Sequence, residues 1–137
     1  MSVLIVEDNP VLREAIKGML TIRFPSIGVE EASNGEEALS VFKKTLPVLI
    51  FMDIGLPGKN GLEVTREIKE TNSETEIIIL TSYDTPEYRE AAFRSGASYF
   101  LAKGNAKIDD IISVVTCALE ADSKCRIGYP IRLSDGI

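Results

Sequence analysis

Apolar runs rich in β-branched residues alternate with segments of helical period along most of this chain, and that alternation leaves few folds open. The runs are SVLIV before Glu7, Ile27 to Ala32, VLIFM before Asp53, IIIL before Thr81 and SYFLA before Lys103. Strand-like runs separated by helical segments mark βαβ units and a parallel sheet. Leu12, Ala15, Ile16, Met19 and Leu20 line one face of a first helix that closes near Phe24, before Pro25. The Ile27–Ala32 run is more polar than the others and reads as an edge strand. Asn34 with Glu37 makes a capping-box-like start for a second helix carrying Ala38, Val41 and Phe42.

Pro47 opens the third strand, and the loop GLPGKNG, Gly55 to Gly61, leads to a third helix near Leu62 to Lys69. Thr85, Pro86 and Glu87 supply a cap, a first-turn proline and an acidic residue for a fourth helix that ends at Gly96. Its stripe of Tyr88, Ala91, Ala92 and Phe93 is thin, so it should be the least firmly anchored helix. Ile108, Ile111, Ile112, Val115, Ala118 and Leu119 form a full apolar face on the last helix. The expectation is an α/β protein: a doubly wound, five-stranded parallel sheet flanked by five helices.

Composition bounds the function. A chain of 137 residues is about one domain on the usual range of roughly 100–200 residues. With 45% hydrophobic residues it can bury a core without disulfides. No apolar run reaches the roughly 18 residues of a membrane span. The start, MSVLIVEDNP, lacks a basic region and a cleavage site, so a cytoplasmic protein is expected. Cys117 and Cys125 cannot make a zinc site alone, and the chain has no histidine, which removes the serine and cysteine triad mechanisms. A net charge of −6 argues against direct binding to nucleic acid. Residues 1–121 read as one domain; residues 122–137 read as a linker stub or a packing segment, since Ile127, Tyr129, Ile131 and Leu133 alternate around Pro130.

The ends of the apolar runs carry the chemistry. In an open parallel sheet, ligands bind outside the carboxyl ends of the strands. Glu7, Asp8, Asp53, Thr81 and Lys103 would converge there. Each has an ordinary role: Asp8 as a helix cap with Pro10 in the first turn, Glu7 as a solvated strand end, Asp53 as a turn residue, Thr81 as a strand former, Lys103 as a surface charge. Together they outweigh those roles. Two carboxylates about 4 Å apart repel by roughly 4 kcal/mol at an effective dielectric near 20, so three need a cation. Hard oxygen ligands point to Mg²⁺, with Mn²⁺ or Ca²⁺ as alternatives. A phosphoryl group is the natural further ligand, with Thr81 and Lys103 binding its oxygens and Asp53 as the best candidate nucleophile.

The motifs VLIVEDNP, FMDIGLPGKNG, ILTSYD and YFLAKG resemble, as an ordered set, those of response-regulator receiver domains of two-component signalling. The resemblance covers about residues 1–121 and implies the flavodoxin-like strand order 2-1-3-4-5. It implies that Glu7 and Asp8 are the acidic metal pair, Asp53 the phosphoacceptor and the Gly55 backbone carbonyl a further metal ligand. Thr81 and Phe100 would be switch residues, and Lys103 would bind the phosphoryl group. It further implies phosphotransfer from a histidine kinase or phosphotransfer protein, slow hydrolysis, and signalling or homodimerisation through the Pro86 helix, the fifth strand and the Ile108 helix. Two departures stand out. Lys103-Gly104-Asn105 replaces the Lys-Pro of many receivers and is similar to receivers that precede a helix-turn-helix output domain. Phe100 has no hydroxyl, so switching would rest on ring packing.

Rival readings fit less well. A haloacid-dehalogenase-like phosphatase needs Asp-x-Asp, and Asp53-Ile54-Gly55 lacks the second aspartate. A flavodoxin-like electron carrier needs a Ser/Thr/Gly-rich loop after the first strand. A non-phosphorylated interaction module that retains the site is the remaining alternative.

Overall fold

The structure is a computed structural model and describes residues 1–120. Its elements are β1 (Ser2–Val6), α1 (Pro10–Arg23), β2 (Gly28–Ala32), α2 (Gly35–Thr45), β3 (Leu49–Met52), α3 (Gly61–Thr71), β4 (Glu76–Thr81), α4 (Pro86–Ser95), β5 (Tyr99–Ala102) and α5 (Ile108–Glu120). All strand pairs are parallel, in the order β2-β1-β3-β4-β5. The expected fold class and strand order are both borne out.

Apolar runs form β1, β3, β4 and β5 because both faces of the sheet are covered there, whereas the edge strand β2 carries Glu30 and Glu31. Leu4, Val6, Ile50, Met52, Ile77, Ile79 and Phe100 pack with side chains of α2, α3 and α4. Their sequence neighbours Val3, Ile5, Leu49, Phe51, Ile78, Leu80 and Leu101 pack with α1 and α5. Burying each such side chain fully contributes roughly 1.5–3 kcal/mol. The anchoring of the helices is uneven: α5 buries Ile111, Val114, Val115, Cys117 and Ala118, whereas α4 buries only Ala92 and Ser95. The thin fourth helix is as expected.

Several local expectations shift. β2 begins at Gly28 rather than Ile27. Pro47 lies before the strand, and Val48 N–H makes the first bond there, to Ser2 O at 3.0 Å, so the missing proline donor costs no ladder bond. Ile108 is 64% exposed, and Val114 and Cys117 replace it on the buried face of α5. At α2, Asn34 caps Glu37 N–H as expected, but the Glu37 carboxylate reaches back to Ser33. The full capping box sits at α3, between Asn60 and Glu63, and the helix starts at Gly61, one residue earlier than the periodicity suggested. Cys117 lies in the core; Cys125 and the tail fall outside the described residues.

Two glycines let the loop after β3 close on the sheet. A Cβ on Gly61 would lie 2.0 Å from the Asp53 carbonyl oxygen, and one on Gly35 would lie 2.7 Å from the Lys59 carbonyl oxygen. Gly61 N–H instead donates to Ile54 O at 3.0 Å. Overpacking a tight site typically costs about 1–3 kcal/mol, and here the obstacle is backbone. Gly61→Ala is therefore expected to lose at least about 2 kcal/mol in urea unfolding and to shift the amide resonances of residues 53–61. A variant as stable as the parent would contradict this packing.

Candidate functional site

Strand register sets the site before any side chain is considered. Val6 pairs with both Ala32 and Met52, so Glu7 and Asp53 leave the sheet side by side. Each extends its ladder by one bond: Glu7 N–H to Ala32 O at 3.0 Å, Asp53 N–H to Val6 O at 3.2 Å. On the other flank Met52 pairs with Ile79 and Thr81 with Ala102, and Lys103 N–H donates to Thr81 O at 2.8 Å. Strand order reverses between β1 and β3, which is where an open α/β sheet leaves its crevice.

The side chains complete the cluster. Glu7, Asp8 and Asp53 each offer a carboxylate oxygen, and these lie within 4.8 Å of one another. Lys103 Nζ lies 2.9 Å from Glu7 Oε1 and 2.9 Å from Asp53 Oδ2. Glu7 Oε2 accepts Asn9 N–H at 3.0 Å, and Asp53 Oδ1 accepts Gly55 N–H at 3.3 Å. Glu7 and Asp53 are buried, at 2% and 6% exposure, while Asp8 faces solvent. Burial raises the Glu7 carboxyl above its ordinary value, and the Asp53 charge pushes the same way. Bonds from Lys103 and Asn9 pull it back without cancelling the rise. For Lys103, burial alone would lower the ammonium, but Glu7 and Asp53 outweigh it and hold it above the usual lysine value.

One ammonium therefore faces three acids. A divalent cation fits the remaining charge: the donors are all hard oxygens, at a spacing that one ion can bridge.

The ordinary roles weighed from sequence fare differently. Asn9, not Asp8, caps α1, through Val11 N–H and Leu12 N–H, so Asp8 is released from that duty. Glu7 is no solvated strand end. Asp53 does tighten its own turn through Gly55 N–H, yet its second oxygen is held by Lys103. Gly55 stands exposed at the rim.

Thr81 and Phe100 are less close to the cluster. Thr81 is fully buried, and its Oγ1 accepts Tyr83 N–H at 3.2 Å; among the described residues no bond joins it to the acids. Phe100 packs in the core on the α4 side, and the Arg89 guanidinium lies 5.5 Å from its ring centroid. Arg89 is itself paired with Asp84.

Two residues escaped the sequence reading. Arg13 donates to the Glu7 carbonyl at 2.6 Å and to Glu31 at 3.2 Å, tying α1 and β2 to the strand end. Tyr83 overhangs Gly55 and stacks on Tyr88. Only the place of Arg13 in the first turn after the acidic pair, and of Tyr83 just beyond Thr81, hinted at either.

Comparison with known proteins agrees with this fold. The model of the response regulator receiver domain matches residues 3–116. The chemotaxis protein CheY of Halobacterium salinarum is 35% identical, over 83% of this chain and 96% of that protein. The transcriptional regulatory protein DesR of Bacillus subtilis is 35% identical over 75% of this chain, but only 51% of its own length. The chain spans about half the length of the curated transcriptional regulators it matches. Among solved structures, a LuxR-family two-component response regulator from an Aurantimonas species superposes with a TM-score of 0.79 at 29% identity, covering 88% of this chain and 85% of that one. With the family's pattern matched across most of its length, this chain belongs to the response regulator receiver domain family.

Proposed function

We propose that this chain is a working phosphorelay receiver, with Asp53 accepting a phosphoryl group from the phosphohistidine of a histidine kinase or phosphotransfer protein. The observation that carries the reading is the meeting of three carboxylates and one ammonium at the sheet's switch point. We take residues 1–121 as the receiver unit and the cytoplasm as its place of work, where a kinase has ATP to draw on.

Glu7, Asp8 and Asp53 would hold Mg²⁺, or Mn²⁺ in its place, with the Gly55 carbonyl as a further oxygen ligand. When bound, such an ion supplies charge neutralisation and a fixed seat for one phosphoryl oxygen. An Asp53 oxygen attacks phosphorus in line as the P–N bond of the donor breaks, and the electron pair leaves with the imidazole nitrogen. Lys103, already on Asp53 Oδ2, follows the charge to a phosphoryl oxygen. Thr81 uses its oxygen as acceptor for Tyr83 N–H, so its hydroxyl proton serves a second phosphoryl oxygen once the side chain moves. Slow attack by water on phosphorus restores Asp53. The domain is thus a phosphoacceptor rather than an enzyme in the usual sense.

The output face in this reading is α4, β5 and α5. Inverting a two-state equilibrium from about 1:99 to 99:1 takes roughly 5.5 kcal/mol of differential binding. New charge-assisted bonds at Thr81 and Lys103 work against a helix that buries only Ala92 and Ser95. Phe100 is already packed inward beneath Arg89, so the change falls on α4 and on Thr81 as much as on the ring. A homodimer or an output domain would read this face; nucleic acid would be reached through such a partner.

Incubation with acetyl phosphate and Mg²⁺ is expected to label the wild type and not Asp53→Asn, as measured by intact mass. Equal labelling of both would refute the acceptor assignment, and no labelling of either would favour a module that keeps the site unused. Lys103→Ala is expected to retain some labelling while its NMR response to beryllofluoride shrinks; an undiminished response would remove the lysine from the switch. Asp8→Asn, which relieves repulsion at an exposed position, is expected to raise the metal-free Tm by a few degrees. An unchanged or lower Tm would show that the three acids do not strain the fold.

A further inference from the structure

We infer that Arg13 is a positioning residue for the acidic pair: its guanidinium, forked between the Glu7 carbonyl and Glu31, fixes the peptide from which Asp8 springs and so strengthens Mg²⁺ binding. This rests on the reading of Glu7, Asp8 and Asp53 as a metal site and adds a residue that acts on it through the backbone. Arg13 donates through Nη1 to Glu7 O at 2.6 Å and through Nε to Glu31 Oε1 at 3.2 Å.

Asp8 depends on such an anchor more than the other two acids do. Lys103 holds one oxygen of Glu7 and one of Asp53, while Asn9 N–H and Gly55 N–H hold the second oxygen of each. Among the described residues no hydrogen bond or ion pair holds the exposed Asp8 carboxylate. Its place is therefore inherited from the backbone. The Glu7 carbonyl and the Asp8 N–H belong to one planar peptide, so an anchor on that oxygen sets the plane in which the Asp8 Cα lies. Glu7 N–H is held by Ala32 O at 3.0 Å. The backbone of Glu7 is thus tied to β2 at one end and to α1 at the other.

The fork is itself braced. Arg13 sits in the first turn of α1, where its N–H donates to Asn9 O at 3.0 Å and Asn9 caps the helix. Glu31 pairs in register with Ile5 and also accepts Lys17 Nζ at 3.0 Å. A planar guanidinium serves two acceptors in fixed directions, which an ammonium on a flexible stem does not reproduce. Charge alone acts in the opposite sense. A guanidinium beside an acidic site repels a cation, so its removal should tighten Mg²⁺ binding unless its bonds matter more. Groups that orient metal ligands typically change affinity by about 10–100-fold, which is enough to reverse that sign.

The test titrates Mg²⁺ into the full chain as wild type, Arg13→Gln, Arg13→Lys and Lys17→Met, and follows the Asp53 and Gly55 amides by NMR. Arg13→Gln and Arg13→Lys are each expected to raise the Kd for Mg²⁺ by about fivefold or more. Lys17→Met, which removes a charge from the same helix but leaves the fork intact, is expected to stay within about twofold. Binding by Arg13→Gln as tight as the wild type, or tighter, would overturn the proposal. So would wild-type affinity in Arg13→Lys, which would make charge sufficient, or an equal loss in Lys17→Met, which would point to a general loosening of α1. Should Arg13→Gln not fold, Arg13→Lys decides alone. A wild type that binds no Mg²⁺ would instead defeat the metal reading and take the role of Arg13 with it.

Discussion

Mutual repulsion among Glu7, Asp8 and Asp53 is the constraint on which the rest of this molecule depends. The fold does not avoid it. Parallel register brings Val6 beside Met52, and the chain leaves both strands with an acid. Burial of Glu7 and Asp53 then denies these charges the water that would soften their repulsion. Lys103 offsets part of it with two bonds, and Arg13 pins the Glu7 backbone so that the acid cannot swing away. Such an arrangement lowers stability at the sheet's switch point, the place where an open α/β sheet leaves its crevice.

The remainder of the fold is unevenly anchored. A sheet with both faces buried holds the strand ends in fixed register, which is what a site built from four strands requires. α5 packs five buried side chains on one side of that sheet, and α4 packs two small ones on the other. Elements that move are drawn from the weakly anchored end of a structure. Here the weakly anchored element, α4, begins five residues after Thr81. Arg89 spans the same gap, joined to Asp84 and poised over Phe100.

Most of the architecture was readable in the sequence because four of the five strands are buried on both sides, so apolar content marks them, while the edge strand β2 is the polar exception. What was misread lies where periodicity carries little information. Ile108 continues the apolar pattern of α5 but precedes the point where the helix meets the sheet, and Val114 and Cys117 take over. The true start of α3 depends on Asn60 and Glu63 bonding each other's backbone, a local match that hydrophobic spacing does not register. In the site, the charged residues were found because they end apolar runs. Arg13 and Tyr83 were missed because they act through a backbone carbonyl and a ring overhang, contacts that appear only once the chain is folded.

The most direct measurement of the central claim is a Mg²⁺ titration followed by amide NMR. The account requires one saturable site, with resonances of Glu7, Asp8, Asp53 and Gly55 moving together and the response greatly weakened when Asp8 is replaced by asparagine. Spectra that stay unchanged at millimolar Mg²⁺, or that move equally in both proteins, would mean that the three acids share a rim without sharing an ion.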